Sequence, residues 1–235
     1  MNKFIKHIVE DFDFTAVKQN DFFEDSYNDI FKKILHFEPL TTREWKWYFA
    51  NLGNYTYKYV LTDVQELRDF LWQTENGPYN IRFRNDGITL FDLNWIDMSN
   101  ITDMSKLFFN INRPYNISKW DVSNVKHMWE TFEYSNCDWD IADWDVSNCI
   151  DFHSMFANTK HFNCDLSKWN VSEGLEFNYM FYNSKYNNDL SSWNIPENAY
   201  IENMFYGCPI RADYQPERLK SKISKFFDKI FRNKK

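Results

Sequence analysis

The chain has 235 residues, a formal net charge of -7 and an aromatic content of 20%. That length provides for one elongated domain or two small ones with a sizeable core. The acidity speaks against generic nucleic-acid binding, which needs a basic face, and only five glycines leave little for glycine-rich phosphate loops.

The first 20 residues read as a separate docking or targeting segment, with Phe4, Ile5, Ile8, Val9 and Phe12 at helical spacing. The opening MNKFIKHIVEDFDF lacks the uninterrupted apolar core of a secretory leader. No run of about 18 apolar residues is present to span a bilayer. Residues 21–91 form a mainly helical N-terminal cap. Phe22, Phe23, Ile30, Phe31, Ile34 and Leu35 mark an amphipathic helix ending before Pro39. Thr41 and Glu44 have capping-box spacing ahead of Trp45, Tyr48 and Phe49. Thr62 is placed to cap a third helix bearing Val64, Leu67, Phe70 and Leu71, and Asp86-Gly87 separates two short runs suited to a hairpin.

Residues 92–210 repeat. Aligned segments begin at Asp97, Asp121, Asp145, Asn170 and Asn194, in steps of 24, 24, 25 and 24 residues, and WDVSN occurs verbatim at Trp120–Asn124 and Trp144–Asn148. A period of this size is the signature of a solenoid whose units bury their apolar faces against one another. Trp120 and Val122 alternate as a strand would, and Val125, Met128 and Phe132 follow at intervals of three and four, as one face of a short helix would. Asn110, Asn158, Asn183 and Gly207, with Tyr134 as the exception, fill a column suited to left-handed helix C-caps. In this reading Trp120, Trp144, Trp169 and Trp193 stack in one row and Val122 and Val146 face the core. Asp121 and Asp145 accept a bond from the backbone two residues on, and Ser123 and Ser147 act as N-caps.

Residues 211–235 carry nine Lys or Arg against three acids, leaving about -13 on the rest of the chain. Leu219, Ile223, Phe226, Phe227 and Ile230 make a helical stripe behind Pro216-Glu217. The expected structure is a basic amphipathic helix that seals the last coil rather than docking on a membrane.

The pattern [IL]SxWDVSNVxxMxxMF followed by an Asn-rich turn, over about residues 90–208, resembles the BspA-like, leucine-rich-repeat-related repeat of surface proteins from mycoplasmas, gut bacteria and some large viruses (the DUF285-like type). The resemblance implies an α/β solenoid: a short, right-handed, leucine-rich-repeat-like stack of about five 24-residue coils, with an α-rich N-terminal cap and a C-terminal capping helix. It also implies use in binding or adhesion, and no enzymatic activity. Separately, the first dozen residues resemble the N-terminal stretch of proteins from crAss-like phages of gut Bacteroidales, which implies a phage-encoded, virion or capsid-packaged protein. With no leader in view, the expected location is cytoplasmic or virion-associated.

No GxSxG, HExxH or Walker sequence occurs, so no enzyme class is indicated. Cys137, Cys149, Cys164 and Cys208 include no CxxC pair and read as reduced, mostly buried thiols. Asp97, Asp121 and Asp145 suggest a cation ladder, but Asn170 and Asn194 continue the column, which fits turn formation better. His127, His153 and His161 lack acids at ligand spacing, so neither a metal nor another cofactor is expected. Binding is the expected use. One column reads Ser105, Trp129, His153, Tyr179, Glu202 and a neighbouring one Phe109, Glu133, Ala157, Tyr182, Tyr206. From these, Trp129, His153, Tyr179, Tyr182 and Tyr206 are the candidate partner-binding residues. A protein partner is expected; the alternatives are a virion structural or packaged protein, and an adhesin for host protein or glycan.

Overall fold

The computed structural model describes residues 59–61, 63–65, 67–69, 71, 91–94 and 96–220. The 1–20 segment, the helices expected at 21–58, the proposed hairpin up to residue 90 and the apolar stripe beyond 220 lie outside the described residues. Residues 64–65, 67–69 and 71 are α-helical, and Leu67 and Leu71 are fully buried in the common core. Thr62, expected to cap this helix, lies outside the described residues; the Asp63 carboxylate accepts the Gln65 N–H at 2.8 Å.

Regular strands are short. Strand β1 (Tyr59–Val60) pairs in parallel with β3 (Ile96–Asp97), and β2 (Phe91–Asp92) with β4 (Tyr115–Asn116). Further on, parallel bridges join Asp103 to His127, His127 to Asp151, Asp151 to Glu176 and Glu176 to Tyr200. Each repeat is therefore paired side by side with the next, in register, along one line.

The segment after each bridge is not helical. Two successive turns replace the helix: Leu107 N–H donates to the Met104 carbonyl and Ile111 N–H to that of Phe108. Their third residues, Lys106 and Asn110, have φ of 60° and 56°, the positive values of type II turns. The same two places are left-handed in every repeat, at Glu130 and Tyr134, Ser154 and Asn158, Tyr179 and Asn183, Asn203 and Gly207. The column assigned as helix C-caps is thus left-handed throughout, Tyr134 included, but it closes turns. Turns recurring every four residues bring Met128 and Phe132 to one side much as a 3.6-residue helix does, so the spacing reads alike in both cases.

Hydrogen bonding explains why the helix does not form. N–H groups of Met104, Lys106, Phe108 and Asn110 donate to the carbonyls of His127, Trp129, Thr131 and Glu133 in the following repeat, at 2.8–3.0 Å. Equivalent sets of four join each later pair, as from Phe177, Tyr179, Phe181 and Asn183 to Tyr200, Glu202, Met204 and Tyr206. An α-helix would direct those donors back into its own segment. Each left-handed non-glycine residue costs about 1 kcal/mol, and four ladder bonds at a net ~0.5–1.5 kcal/mol apiece offset two of them.

The tryptophan column is paired likewise. Trp120, Trp144, Trp169 and Trp193 are each 4% exposed, and their indole N–H groups donate to the carbonyls of Leu93, Ile117, Ile141 and Leu166, one repeat earlier, at 2.8–3.1 Å. Trp120 stacks on Trp144 and Trp169 on Trp193 at 6.4 Å. No strand forms at Trp120–Val122, although Val122 and Val146 are buried. Asp121 and Asp145 accept the N–H groups of Ser123 and Ser147 at 3.1 and 3.0 Å, as expected of the turn, with Asp97 and Asn170 doing the same for Ser99 and Ser172. Ser123 and Ser147 cap no helix, since none follows; the Ser123 hydroxyl donates to Asp121 Oδ1 at 2.6 Å. The last letter of WDVSN ties repeats together: the amides of Asn124 and Asn148 donate to the carbonyls of Ser99 and Ser123 at 2.8 Å.

Two further aromatic columns fill the core. Phe108, Phe132, Phe156, Phe181 and Phe205 stack in sequence at 5.3–5.6 Å. Tyr115, Trp139, Phe162 and Tyr186 form the other, against the phenylalanines. Their steps of 24, 23 and 24 residues were present in the sequence.

Candidate functional site

The left-handed turns hold outward the side chains that alternate with the phenylalanine column. His153 packs edge-on against Tyr179 at 5.9 Å, Tyr179 against Tyr182 at 5.6 Å, and Tyr182 stacks on Tyr206 at 5.5 Å and 14°. Tyr206 is 63% exposed, while His153, Tyr179 and Tyr182 are half-buried. Four of the five candidate residues thus form one chain of contacts across three repeats.

Trp129 belongs to a second group. Lys106 Nζ lies 4.5 Å from its ring centre and 5.7 Å from that of Phe109, and Phe109 packs edge-on against exposed Tyr134. Lys106 also pairs with Glu130 at 3.2 Å. Cation–π contact and ion pair together fix an otherwise mobile lysine over the indole. Tyr134, at 48% exposure, was read only as an irregular cap, although its aromatic ring was the signal for this face.

The ladder register corrects one column. Tyr179 donates through its backbone to Glu202, as Ser154 does to Asn178, so Tyr179 is the equivalent of Ser154, Glu130 and Lys106. The place of His153 is taken by Asn178, whose Oδ1 accepts the Glu202 N–H at 2.6 Å. Ser105 in that column is buried.

Between the two groups lies Glu133, which accepts the Asn158 amide at 3.3 Å. Burial, followed by the hydrogen bond and charge of Glu130, raises its carboxyl to about 7, against the lowering effects of Asn158 and Lys106.

The thiols of Cys149, Cys164 and Cys208 are shifted away from activation. All four are free, and burial pushes the Cys149 thiol up to about 12 and those of Cys164 and Cys208 above their ordinary value. An activated nucleophile needs the opposite shift. Among the described residues no group of three His, Cys, Asp or Glu side chains is placed to hold a metal ion, and no helix is long and apolar enough to cross a membrane.

Segments bonded in register at a constant period, with side chains recurring in columns, define a tandem-repeat protein. The sequence model of the family described as "Mycoplasma protein of unknown function, DUF285" matches residues 81–137 and 102–215. The chain belongs to that family, the mycoplasma surface-protein repeat family of BspA-like type. No curated protein and no solved structure matches it.

Proposed function

We propose that this chain is a non-catalytic protein-interaction module: a right-handed, leucine-rich-repeat-like solenoid that presents an aromatic face to a protein partner. The observation that supports this most is the contact chain His153–Tyr179–Tyr182–Tyr206 on the outer turns. Tyr and Trp bring large contact area with few rotatable bonds, and neighbours already in contact lose little further freedom when covered. Inter-repeat hydrogen bonds beneath them keep the rings in fixed relative positions.

The test is cross-linking from the native source with a photoreactive residue at Phe109, followed by affinity measurement on the captured protein. Trp129→Ala and the double change Tyr182→Ala, Tyr206→Ala are each expected to weaken binding at least tenfold with Tm unchanged, since such anchors contribute about 2 kcal/mol or more. Affinity unaltered in both variants would overturn the assignment of this face. Glycan-array signal abolished by Trp129→Ala or Tyr182→Ala would instead favour the adhesin reading.

A further inference from the structure

The turn segments 105–110, 129–134, 153–158, 178–183 and 202–207 make the aromatic face, and their charges are unequal. Three carboxyl side chains, Glu130, Glu133 and Glu202, stand with one lysine, Lys106, and one histidine, His153. The lysine is already engaged by Glu130 at 3.2 Å. Glu202 is exposed, and its carboxylate has neither hydrogen bond nor ion pair among the described residues. The face is therefore short of positive charge at its last repeat.

The first junction between repeats shows what such a place holds. Lys106 N–H donates to the Trp129 carbonyl at 3.0 Å, and its ammonium lies 4.5 Å from the centre of the Trp129 ring, with the Glu130 carboxylate as the third member. The last junction has the same register, Tyr179 N–H donating to the Glu202 carbonyl at 2.9 Å. Here the two columns hold a ring and an acid, and no cation accompanies them among the described residues. Tyr179 packs against Tyr182, and Tyr182 stacks on Tyr206. The Tyr206 ring has one face on Tyr182; its other face meets no ring or cation among the described residues, and the residue is 63% exposed.

Ring and carboxylate together select a guanidinium. Its plane stacks on an aromatic face, its N–H fork bonds a carboxylate, and it is more weakly hydrated than an ammonium. A phosphate-bearing partner would meet Glu133 and Glu202 with like charge. A neutral one would cover the Glu202 carboxylate without pairing it.

We propose that Glu202 and the Tyr179–Tyr182–Tyr206 rings receive an arginine-bearing, basic segment of the partner protein, whose guanidinium takes at the last junction the place that the Lys106 ammonium has at the first. This rests on the aromatic face being the docking surface and adds the chemistry of what docks there.

The probe is an acetylated, amidated peptide of alternating glycine and arginine, with the uncharged citrulline peptide of the same shape as control. Each is titrated into the full chain while NMR follows the amide signals of Glu202 and Tyr206. The arginine peptide should shift both signals saturably and bind about tenfold more tightly than the citrulline peptide, since both the ring and the carboxylate respond to its charge. Glu202→Gln should weaken it about threefold with Tm unchanged, and raising the ionic strength from about 0.01 M to about 1 M should abolish the difference between the peptides. Equal binding of the two peptides, shifts that avoid both residues, or indifference to Glu202→Gln would overturn the proposal. The same variant on the protein captured by cross-linking separates the two readings. Weakening by Tyr182→Ala, Tyr206→Ala without any effect of Glu202→Gln or salt would keep the aromatic face and remove the basic occupant; no response to any of the changes would remove both.

Discussion

Phe156→Ala tests whether the repeats share one continuous interior. Phe156 is fully buried. It stacks on Phe132 at 5.6 Å, on Phe162 at 4.2 Å and on Phe181 at 5.4 Å, with Trp169 tilted against it at 6.2 Å. Truncating a buried phenylalanine costs about 3–5 kcal/mol. With four aromatic neighbours held by backbone ladders on both sides, the cavity has little means to collapse, which places the expected cost at the upper end. For a chain of this size each kcal/mol lowers Tm by roughly 2–4 °C, so a fall of about 10 °C or more is expected in differential scanning calorimetry. Phe205 has the same place in the last repeat, but it is only partly buried and, among the described residues, stacks on Phe181 alone. Phe205→Ala should therefore cost roughly half as much, as nearest-neighbour packing requires. Equal costs at the two positions, or less than about 1 kcal/mol at Phe156, would refute the stacked-column account.

Gly174→Ala should destabilise by about 1–3 kcal/mol in urea unfolding, because the added Cβ falls 2.3 Å from Cζ of the buried Phe177 and 3.1 Å from the Val171 carbonyl oxygen. Asn148→Ala removes the exposed amide's bond to the Ser123 carbonyl and should cost about 0.5–1 kcal/mol by the same measurement. Glu133 has a carboxyl raised from 4.5 to about 7, so folding binds a proton more tightly there. Its contribution to stability is complete below 4.5 and is lost as pH rises through about 7; Glu133→Gln should flatten the fall in Tm across that interval. Cys149, buried and with its thiol at about 12, should react with iodoacetamide far more slowly than the half-buried Cys164 and Cys208 in peptide mapping of the native protein.

The period, the buried columns and the turn-forming acids were legible because they depend on what recurs at one step, whatever the local conformation. Trp120, Trp144, Trp169 and Trp193 announce themselves by identity, and Asp121 or Asp145 by position ahead of a serine. The local conformation was not legible. Val125, Met128 and Phe132 satisfy a helix and a pair of four-residue turns equally well, and only the destination of the N–H groups separates the two. That destination lies 23 or 24 residues away, beyond the reach of any spacing rule. The same distance hid the role of Asn124 and Asn148, whose partners belong to the preceding repeat. On the outer face, the 25-residue step from Asp145 to Asn170 puts Asn178, not Tyr179, in the place of His153. Asn178, the true equivalent of His153, makes the bond to Glu202 that fixes the alignment.

The direction of the ladder also accounts for the unlike ends of the array. Within the turn segments carbonyls face the beginning and N–H groups the finish, whereas beside each bridge the N–H groups of Lys126, Ile150, Leu175 and Tyr200 donate back to the preceding repeat; the two ends of the turn ladder therefore need covers of opposite chemistry, as the two ends of a helix do. A side chain rich in donors serves the carbonyl end, and Arg68 fills that role on Ser105. No arginine or lysine can serve the other end, because neither carries an acceptor. Arg218 accordingly donates to carbonyls at Pro196, Glu197 and Ala199. A cover for the N–H end has to bring carboxylate, amide or backbone oxygens at a two-residue pitch, and residues 211–220 direct none there. The polarity of the turn ladder thus calls for a separate source of acceptors wherever the series stops.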